Sequence, residues 1–230
     1  MNTLIRIGPF GLPDATALAI MLAAWLIIGW FIEHPPKGRP SVSLLMQDYR
    51  REWMRQFLTR QPRIFDATMI DNLRQGTAFF ASASMIAIGG GIALIGNPAM
   101  VLGLARDLTL PADATGLQVR VLLVIAFLSN ALLKFIWAHR LFGYCAIIMA
   151  AVPNDPEDPR APHRAGQAAE INITAAKSFN RGLRSIYFAL GSLGWLLGPY
   201  ALIVAALLTA SVLIRREFAS ASRLIMLDDV

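Results

Sequence analysis

An asparagine and a lysine lie inside a long apolar run, which makes them the first candidates for chemistry. Asn130 and Lys134 are one helical turn apart, so both are expected on one face of a helix. A charged side chain inside a membrane span is costly, and it usually faces the bundle interior or water. The pair therefore predicts either a polar site in a small transporter or channel, or a lysine whose ammonium group reaches the membrane surface.

Two histidines indicate a second kind of site. His34 and His139 each lie near the end of an apolar run. Histidines from neighbouring helices can ligate a haem iron inside a bundle, but at such positions they more often contact head groups or backbone. Haem binding through this pair is therefore a remote alternative, and the sequence predicts no resident cofactor and no metal site.

The motifs of common enzymes are missing from this sequence. Neither H-E-x-x-H nor G-x-S-x-G occurs. Cys145 is the single cysteine, so an internal disulfide or a cysteine-ligated cluster is excluded. The glycine triplet at residues 89–91 has neither the spacing nor the lysine of a phosphate-binding loop. We therefore predict a non-enzymatic protein without catalytic residues.

A larger set of polar and aromatic residues is expected at one membrane surface. Arg181 and Arg184 are three residues apart and share a helix face, from which they could pair with Asp66 or Asp71, or bind an anionic lipid. A belt of ion pairs and head-group contacts is the simplest interpretation. The residues assigned to this surface are Arg51, Trp53, Asp66, Asp71, Arg74, His139, Asn180, Arg181 and Arg184.

Membrane-spanning helices must position these residues. Of the 230 residues, 56% are hydrophobic and 16% are charged, whereas soluble proteins have roughly 25% charged residues. A span needs about 20 mostly apolar residues, because the hydrocarbon layer is about 30 Å thick. Four runs predict an all-α integral membrane protein, a single membrane domain over residues 1–230 with spans at about 12–32, 77–104, 117–150 and 186–214.

The fourth run is interrupted by Gly198-Pro199. Its two halves are too short to cross separately, so we expect one kinked helix. Gly191, Gly194, Gly198, Ala201 and Ala205 would lie on one stripe of that helix. Small residues at this spacing favour close helix packing within the chain, with contact between two copies of the chain as the alternative.

The charge distribution predicts how the chain is oriented. Most of its 21 lysine and arginine residues lie in the loops after the first and third runs. By the positive-inside rule, both large loops are cytoplasmic and both termini lie outside an inner membrane, although arginines in the C-terminal tail oppose this. Because the net charge of +6 flanks apolar runs, the expected counter-charge is an anionic lipid head group and not nucleic acid.

The two large loops contain predicted structure of their own. Apolar residues recur at helical spacing between Ser43 and Leu58 among arginines, which predicts a basic amphipathic helix in the head-group plane or against a protein partner. Asp66 could cap the helix that enters the second span. The prolines of residues 153–162 predict a linker, and helical spacing returns from Ala165.

Three segments read together carry a family resemblance. They are REWM at residues 51–54, GTAFFAS at 76–82 and FNRGLRSIYFAL at 179–190. With these the chain resembles the membrane family known as domain of unknown function 599, over nearly its whole length. The resemblance implies a multi-spanning bacterial membrane protein and no assigned activity. Where the family tends to have a Tyr-Asn pair, this chain has FGYC at 142–145, so a role for that asparagine does not carry over.

Two functional hypotheses follow from these residues. The first is a non-enzymatic membrane protein whose basic cytoplasmic face binds anionic lipid or a protein partner. The alternative is a small oligomeric transporter or channel that uses Asn130 and Lys134. The expected partners are the bilayer, anionic head groups, and either a second copy of the chain or another membrane protein.

Overall fold

The structure is a computed structural model that describes residues 9–97, 99, 103 and 113–228. Its regular elements over these residues are helices: α1 Leu12–Glu33, α2 Val42–Phe57, α3 Ile64–Gly96, α4 Ala114–Ala150, α5 Arg160–Ser192, a 3-10 helix Leu193–Leu197, α6 Pro199–Phe218 and α7 Ala221–Leu227. Three of them, α1, α3 and α4, are long and apolar enough to cross a membrane. The all-helical prediction is confirmed, and the end of the second predicted span lies largely outside the described residues.

The fourth predicted span is not one continuous helix. A 3-10 helix follows α5, and a new helix begins at Pro199. Gly198 has a φ angle of +121°, which residues with side chains rarely adopt. Pro199 suits the first position of a helix, where its missing amide would have no helical partner. The Gly-Pro pair ends one helix and starts another, so the prediction of one kinked helix over 186–214 was wrong.

The small residues around this break pack against each other across it. A Cβ atom on Gly194 would lie 3.0 Å from the Ala201 carbonyl oxygen and from Ala205 Cβ. A Cβ atom on Gly191 would lie 2.8 Å from Thr209 Oγ1. Small residues therefore allow the end of α5 and α6 to approach closely, but they face each other and do not form one stripe.

The chain divides into two compact units. Unit 1 comprises Met1–Phe31, Ala83–Ala131 and Leu183–Arg215, and unit 2 comprises Ile32–Ser82, Leu132–Gly182 and Arg216–Val230. In unit 1, Phe127 packs edge-to-face on Trp25 at 5.5 Å and stacks on Phe188 at 6.0 Å. The single membrane domain over residues 1–230 stays a prediction.

Unit 2 is built around α2. The predicted amphipathic helix is confirmed, and Ser41 caps it by accepting a hydrogen bond from the Leu44 amide at 3.2 Å. Met54 and Phe57 are buried in the core of this unit, together with Ile70 of α3 and residues of α4 and α5. Part of the apolar face of α2 therefore packs within unit 2, and its position at the membrane surface stays a prediction.

A close approach of two helices in unit 2 depends on Gly182. A Cβ atom at this position would lie 2.6 Å from Phe135 Cε1. The Phe135 side chain is fully buried, between Phe80 at 5.4 Å and Phe179 at 5.5 Å, so its ring has little room to move. The helix α5 therefore needs a residue without a side chain here.

We expect Gly182→Ala to lower the free energy of unfolding by about 1–3 kcal/mol, because overpacking forces neighbouring side chains to shift. The matched control is Gly166→Ala on the same helix, where a Cβ atom would meet nothing within 4 Å. That variant should be neutral or gain up to about 1 kcal/mol, since alanine favours helix over glycine. Thermal unfolding of both purified variants checks this; a Gly182→Ala protein as stable as Gly166→Ala would contradict it.

Candidate functional site

Two of the predicted surface residues form a polar contact in unit 2, at a buried carboxylate. Trp53 donates its indole N–H to Asp66 Oδ1 at 2.6 Å, and Arg60 pairs with the same oxygen. Asp66 is fully buried, and it lies inside the first turn of α3, which begins at Ile64. The prediction that Asp66 is an N-cap was therefore wrong. Asp66 instead connects α3 to α2 and to the loop that follows α2.

The basic side of α2 contacts α5. Arg51 pairs with Glu170 at 2.8 Å, but both side chains are largely exposed, so the pair contributes only about 0–1 kcal/mol. Arg50 donates to Asn172 Oδ1, and Asn172 is fully buried. Burial lowers the pKa of the Arg50 guanidinium. Asn172 was not predicted, since no local sequence pattern distinguishes a buried asparagine in a polar helix.

Arg181 binds a different carboxylate from the two that were predicted. Its guanidinium forms two hydrogen bonds with Glu33, one of them at 2.8 Å. These bonds raise the pKa of Arg181. The ion pair connects α5 to the last residue of α1 within unit 2, so the predicted pairing of Arg181 with Asp66 or Asp71 was wrong.

The other two predicted residues of this segment lie elsewhere on α5. Asn180 is half-buried in unit 2. Arg184 belongs to unit 1 and is 7% exposed. Binding of lipid by either residue therefore stays a prediction.

His139 is held against α3. Its Nδ1 atom lies 3.1 Å from Thr77 Oγ1 and 3.3 Å from the Arg74 carbonyl oxygen. The hydroxyl of the buried Thr77 donates a hydrogen bond to the same carbonyl oxygen. His34, in contrast, is exposed. A histidine engaged with a helix and an exposed one do not favour a shared haem site. Within the described residues, no group of three or more histidine, cysteine or carboxylate side chains could hold a metal ion.

The polar pair on α4 is divided between the two units. In unit 1, Asn130 Nδ2 donates to Ser185 Oγ at 2.5 Å, a helix–helix hydrogen bond of the kind that stabilises membrane bundles. In unit 2, Lys134 is half-buried, and its carbonyl oxygen accepts from Ser178 Oγ at 2.9 Å. Asn130 thus has a packing role, and the transporter alternative depends on the Lys134 ammonium group.

A group that the sequence analysis missed lies on the exposed face of α4. Arg140 donates to Tyr144 Oη at 2.9 Å, and its guanidinium carbon lies 6.0 Å from the Trp137 ring centre and 5.9 Å from that of Tyr144. Trp137 is 48% exposed and Tyr144 is 40% exposed. We call these three residues the α4 cluster. Two aromatic residues at helical spacing around an arginine, late in an apolar run, were the signal that could have revealed it.

Unit 2 also contains a cavity between α3 and α4, which we call the α3–α4 cavity. Its volume is about 460 Å³. Buried Phe57, Ile70 and Met149 contribute to an apolar wall. The polar side chains that line it are Arg63, Asp71, Arg74 and Asn154.

The two arginines of this cavity have different surroundings. Arg63 donates to the carbonyl oxygens of Val152 at 3.0 Å and Pro153 at 2.9 Å, and its guanidinium lies 4.4 Å from the Phe57 ring centre. Arg74 is half-buried, and no ion pair of its guanidinium is found among the described residues. The Nε atoms of both arginines are buried without a hydrogen-bond partner among these residues. Arg63 therefore holds the loop after α4 through its other nitrogens, whereas Arg74 contributes a positive charge to the cavity wall.

The hydrogen bond from Trp53 to the buried Asp66 carboxylate gives a stability prediction. We expect Trp53→Phe to lower the free energy of unfolding by about 1.5–3 kcal/mol, because it removes a hydrogen bond to a buried carboxylate. The control is Trp137→Phe, the same substitution at an exposed position, which should change stability by less than about 0.5 kcal/mol. Unfolding followed by circular dichroism in mixed micelles measures both, and equal effects would argue against the role given to Trp53.

A family model gives this chain its place among known proteins. The model described as protein of unknown function DUF599 matches residues 16–222. The chain therefore belongs to this family, which confirms the resemblance seen in the sequence. No curated protein and no solved structure was found to match the chain.

Proposed function

We propose that this family member is a non-enzymatic, multi-pass protein of the bacterial inner membrane whose unit 2 binds anionic lipid head groups at the cytoplasmic surface. The observation that carries the proposal is the α4 cluster. Tryptophan and tyrosine are enriched where membrane spans meet the head groups, and arginines near helix ends extend toward the lipid phosphates. Trp137, Arg140 and Tyr144 combine these features on one exposed face.

The lengths of the helices support this position. The helix α4 has 37 residues and is about 55 Å long, whereas the hydrocarbon layer is about 30 Å thick. About 20 residues counted from Leu117 end near Trp137. The exposed Leu133 precedes this point and suits the hydrocarbon, and Arg140 follows it by one turn. The count therefore places the α4 cluster among the head groups.

A count along α3 leads to the same level. This helix has 33 residues, and about 20 residues counted back from Gly96 end near Thr77. Both counts start from contacting residues, since Gln118 of α4 donates to the Ile95 carbonyl oxygen at 3.2 Å. Both end near contacting residues as well, because Thr77 meets His139 at 3.1 Å. The two counts thus agree on one boundary.

Charge supports both the orientation and the ligand. The part of the chain in unit 2 contains most of the lysine and arginine residues. Basic residues next to spans favour the cytoplasmic side, and each contributes about 1 kcal/mol of attraction to an anionic leaflet. Exposed cations such as Lys37, Arg39 and Lys177 belong to the same unit.

The same count explains Lys134 without a transport role. Lys134 lies one turn before Trp137, so its four-carbon stem can bring the ammonium group to the head groups. Head-group contact therefore accounts for both Lys134 and Arg140, whereas a flux pathway would account for Lys134 alone. We favour lipid binding for this reason.

The test is retention of anionic lipid. Protein would be released from vesicles of equal phosphatidylglycerol and phosphatidylcholine, and bound lipid counted by native mass spectrometry. We expect wild type to retain phosphatidylglycerol preferentially, and Arg140→Ala to weaken that retention about five-fold, as loss of about 1 kcal/mol requires.

The control for this test is Arg160→Ala. Arg160 is another exposed arginine of unit 2, and it begins α5 and pairs with Asp158 of the preceding loop. This variant should retain lipid as wild type does. Equal retention by wild type and Arg140→Ala, or no preference of wild type for the anionic lipid, would refute the proposal.

A further inference from the structure

We infer that the α3–α4 cavity binds a small amphipathic anion, in which an apolar body carries one carboxylate whose charge is met by Arg74. The inference goes beyond head-group binding at the α4 cluster, and it rests on the proposed function only for the position of the cavity near the membrane surface.

The size of the cavity sets the size of the ligand. Small-molecule sites are concave and mostly apolar, with volumes of about 300–1,000 Å³ and a few polar groups that fix orientation. The cavity volume of about 460 Å³ lies within this range. A site of this volume suits a single acyl chain or a fused aromatic ring system, and it is too small for a whole two-chain lipid.

The walls determine which body fits. Phe57, Ile70 and Met149 are at most 6% exposed, so their apolar surface is already removed from bulk water. Ala67, Ala146 and Ala150 also line the cavity, and their short side chains leave its volume open. Methionine and phenylalanine adapt to both aliphatic and aromatic ligands. The apolar part of the ligand is therefore expected against this wall.

The charges determine which head group fits. Arg63 and Arg74 line the cavity against one carboxylate, Asp71, which accepts a hydrogen bond from Gln75 at 2.6 Å. The acceptors described for Arg63 are backbone carbonyls and an amide oxygen, none of which carries a charge. Two guanidinium groups thus outweigh one carboxylate, and the cavity favours an anion.

Arg74 is the residue placed to bind that anion. It lines the cavity, and no ion pair of its guanidinium is found among the described residues, whereas the guanidinium of Arg63 already donates to backbone carbonyls. A ligand carboxylate at the Arg74 guanidinium would form a charge-assisted hydrogen bond. By the count along α3, Arg74 also lies one turn beyond Thr77, at the level where lipid head groups or dissolved anions can reach it.

The experiment titrates the full chain in zwitterionic nanodiscs by isothermal calorimetry, with empty nanodiscs subtracted. Dodecanoate is the acyl probe, 2-naphthoate the water-soluble probe, and dodecanol the neutral counterpart. We expect wild type to bind at least one of the two carboxylate probes. Arg74→Gln should raise the Kd of that probe by about 10- to 100-fold, while the Kd of dodecanol stays unchanged. Dodecanoate alone would identify a membrane-derived acyl anion as the ligand, and naphthoate alone a soluble one.

Two further variants keep the test decisive. Ala150→Leu fills the cavity without changing charge, so it should weaken the carboxylate and dodecanol alike, and it carries the test if Arg74→Gln does not fold. Arg55→Gln, an exposed arginine paired with Glu52 on α2, should bind as wild type does. Equal affinity of wild type, Arg74→Gln and Ala150→Leu for the carboxylates would overturn the inference, as would absence of binding to wild type.

The lipid-retention assay separates this inference from the proposed function. If wild type binds no carboxylate but retains phosphatidylglycerol through Arg140, the cavity inference fails and the proposed function stands. If carboxylates bind through Arg74 while Arg140→Ala retains lipid normally, the proposed function fails and the cavity inference stands.

Discussion

The constraint on which the rest of this structure depends is a mismatch of length. The helices α3 and α4 are about 50 and 55 Å long, whereas the hydrocarbon layer that they would cross is about 30 Å thick. Helices of this length that cross the layer upright have several turns outside the hydrocarbon. The turns outside the hydrocarbon expose apolar surface and polar groups to water. Neighbouring helices must bury that apolar surface and form hydrogen bonds with those polar groups. In unit 2, these neighbouring helices are α2 and the first part of α5.

The polar groups of unit 2 show how this packing is made specific. Buried Asp66 is approached by the Trp53 indole and by Arg60, and buried Asn172 is approached by Arg50. Such groups are costly to bury alone, so each one fixes the position of the helix that supplies its partner. The packing leaves the α4 cluster exposed and the α3–α4 cavity open, and these two features are the basis of both functional proposals.

The sequence predicts the helices well and their partners poorly. The lengths of the hydrophobic runs predict α1, α3 and α4, because a segment inside lipid must form its backbone hydrogen bonds within itself and therefore folds as a helix. The amphipathic spacing predicts α2, and it too is a property of a short stretch of sequence. The break at Gly198 was missed, since sequence shows the Gly-Pro pair but not whether the chain bends or reverses there. The carboxylate bound by Arg181 was missed because Glu33 is distant in the chain, and the choice between Glu33, Asp66 and Asp71 depends on tertiary packing.

The level of the membrane boundary on α4 is the central claim, and electron paramagnetic resonance of nitroxide labels measures it directly. Labels would be attached at exposed positions of one helix face, through Leu133→Cys, Tyr144→Cys and Ile147→Cys in a Cys145→Ser background, in lipid vesicles. Relaxation by oxygen should dominate at residue 133, and relaxation by a water-soluble nickel complex should dominate at residues 144 and 147. A label at residue 147 that is as oxygen-rich as one at residue 133 would place the α4 cluster inside the hydrocarbon and contradict the account.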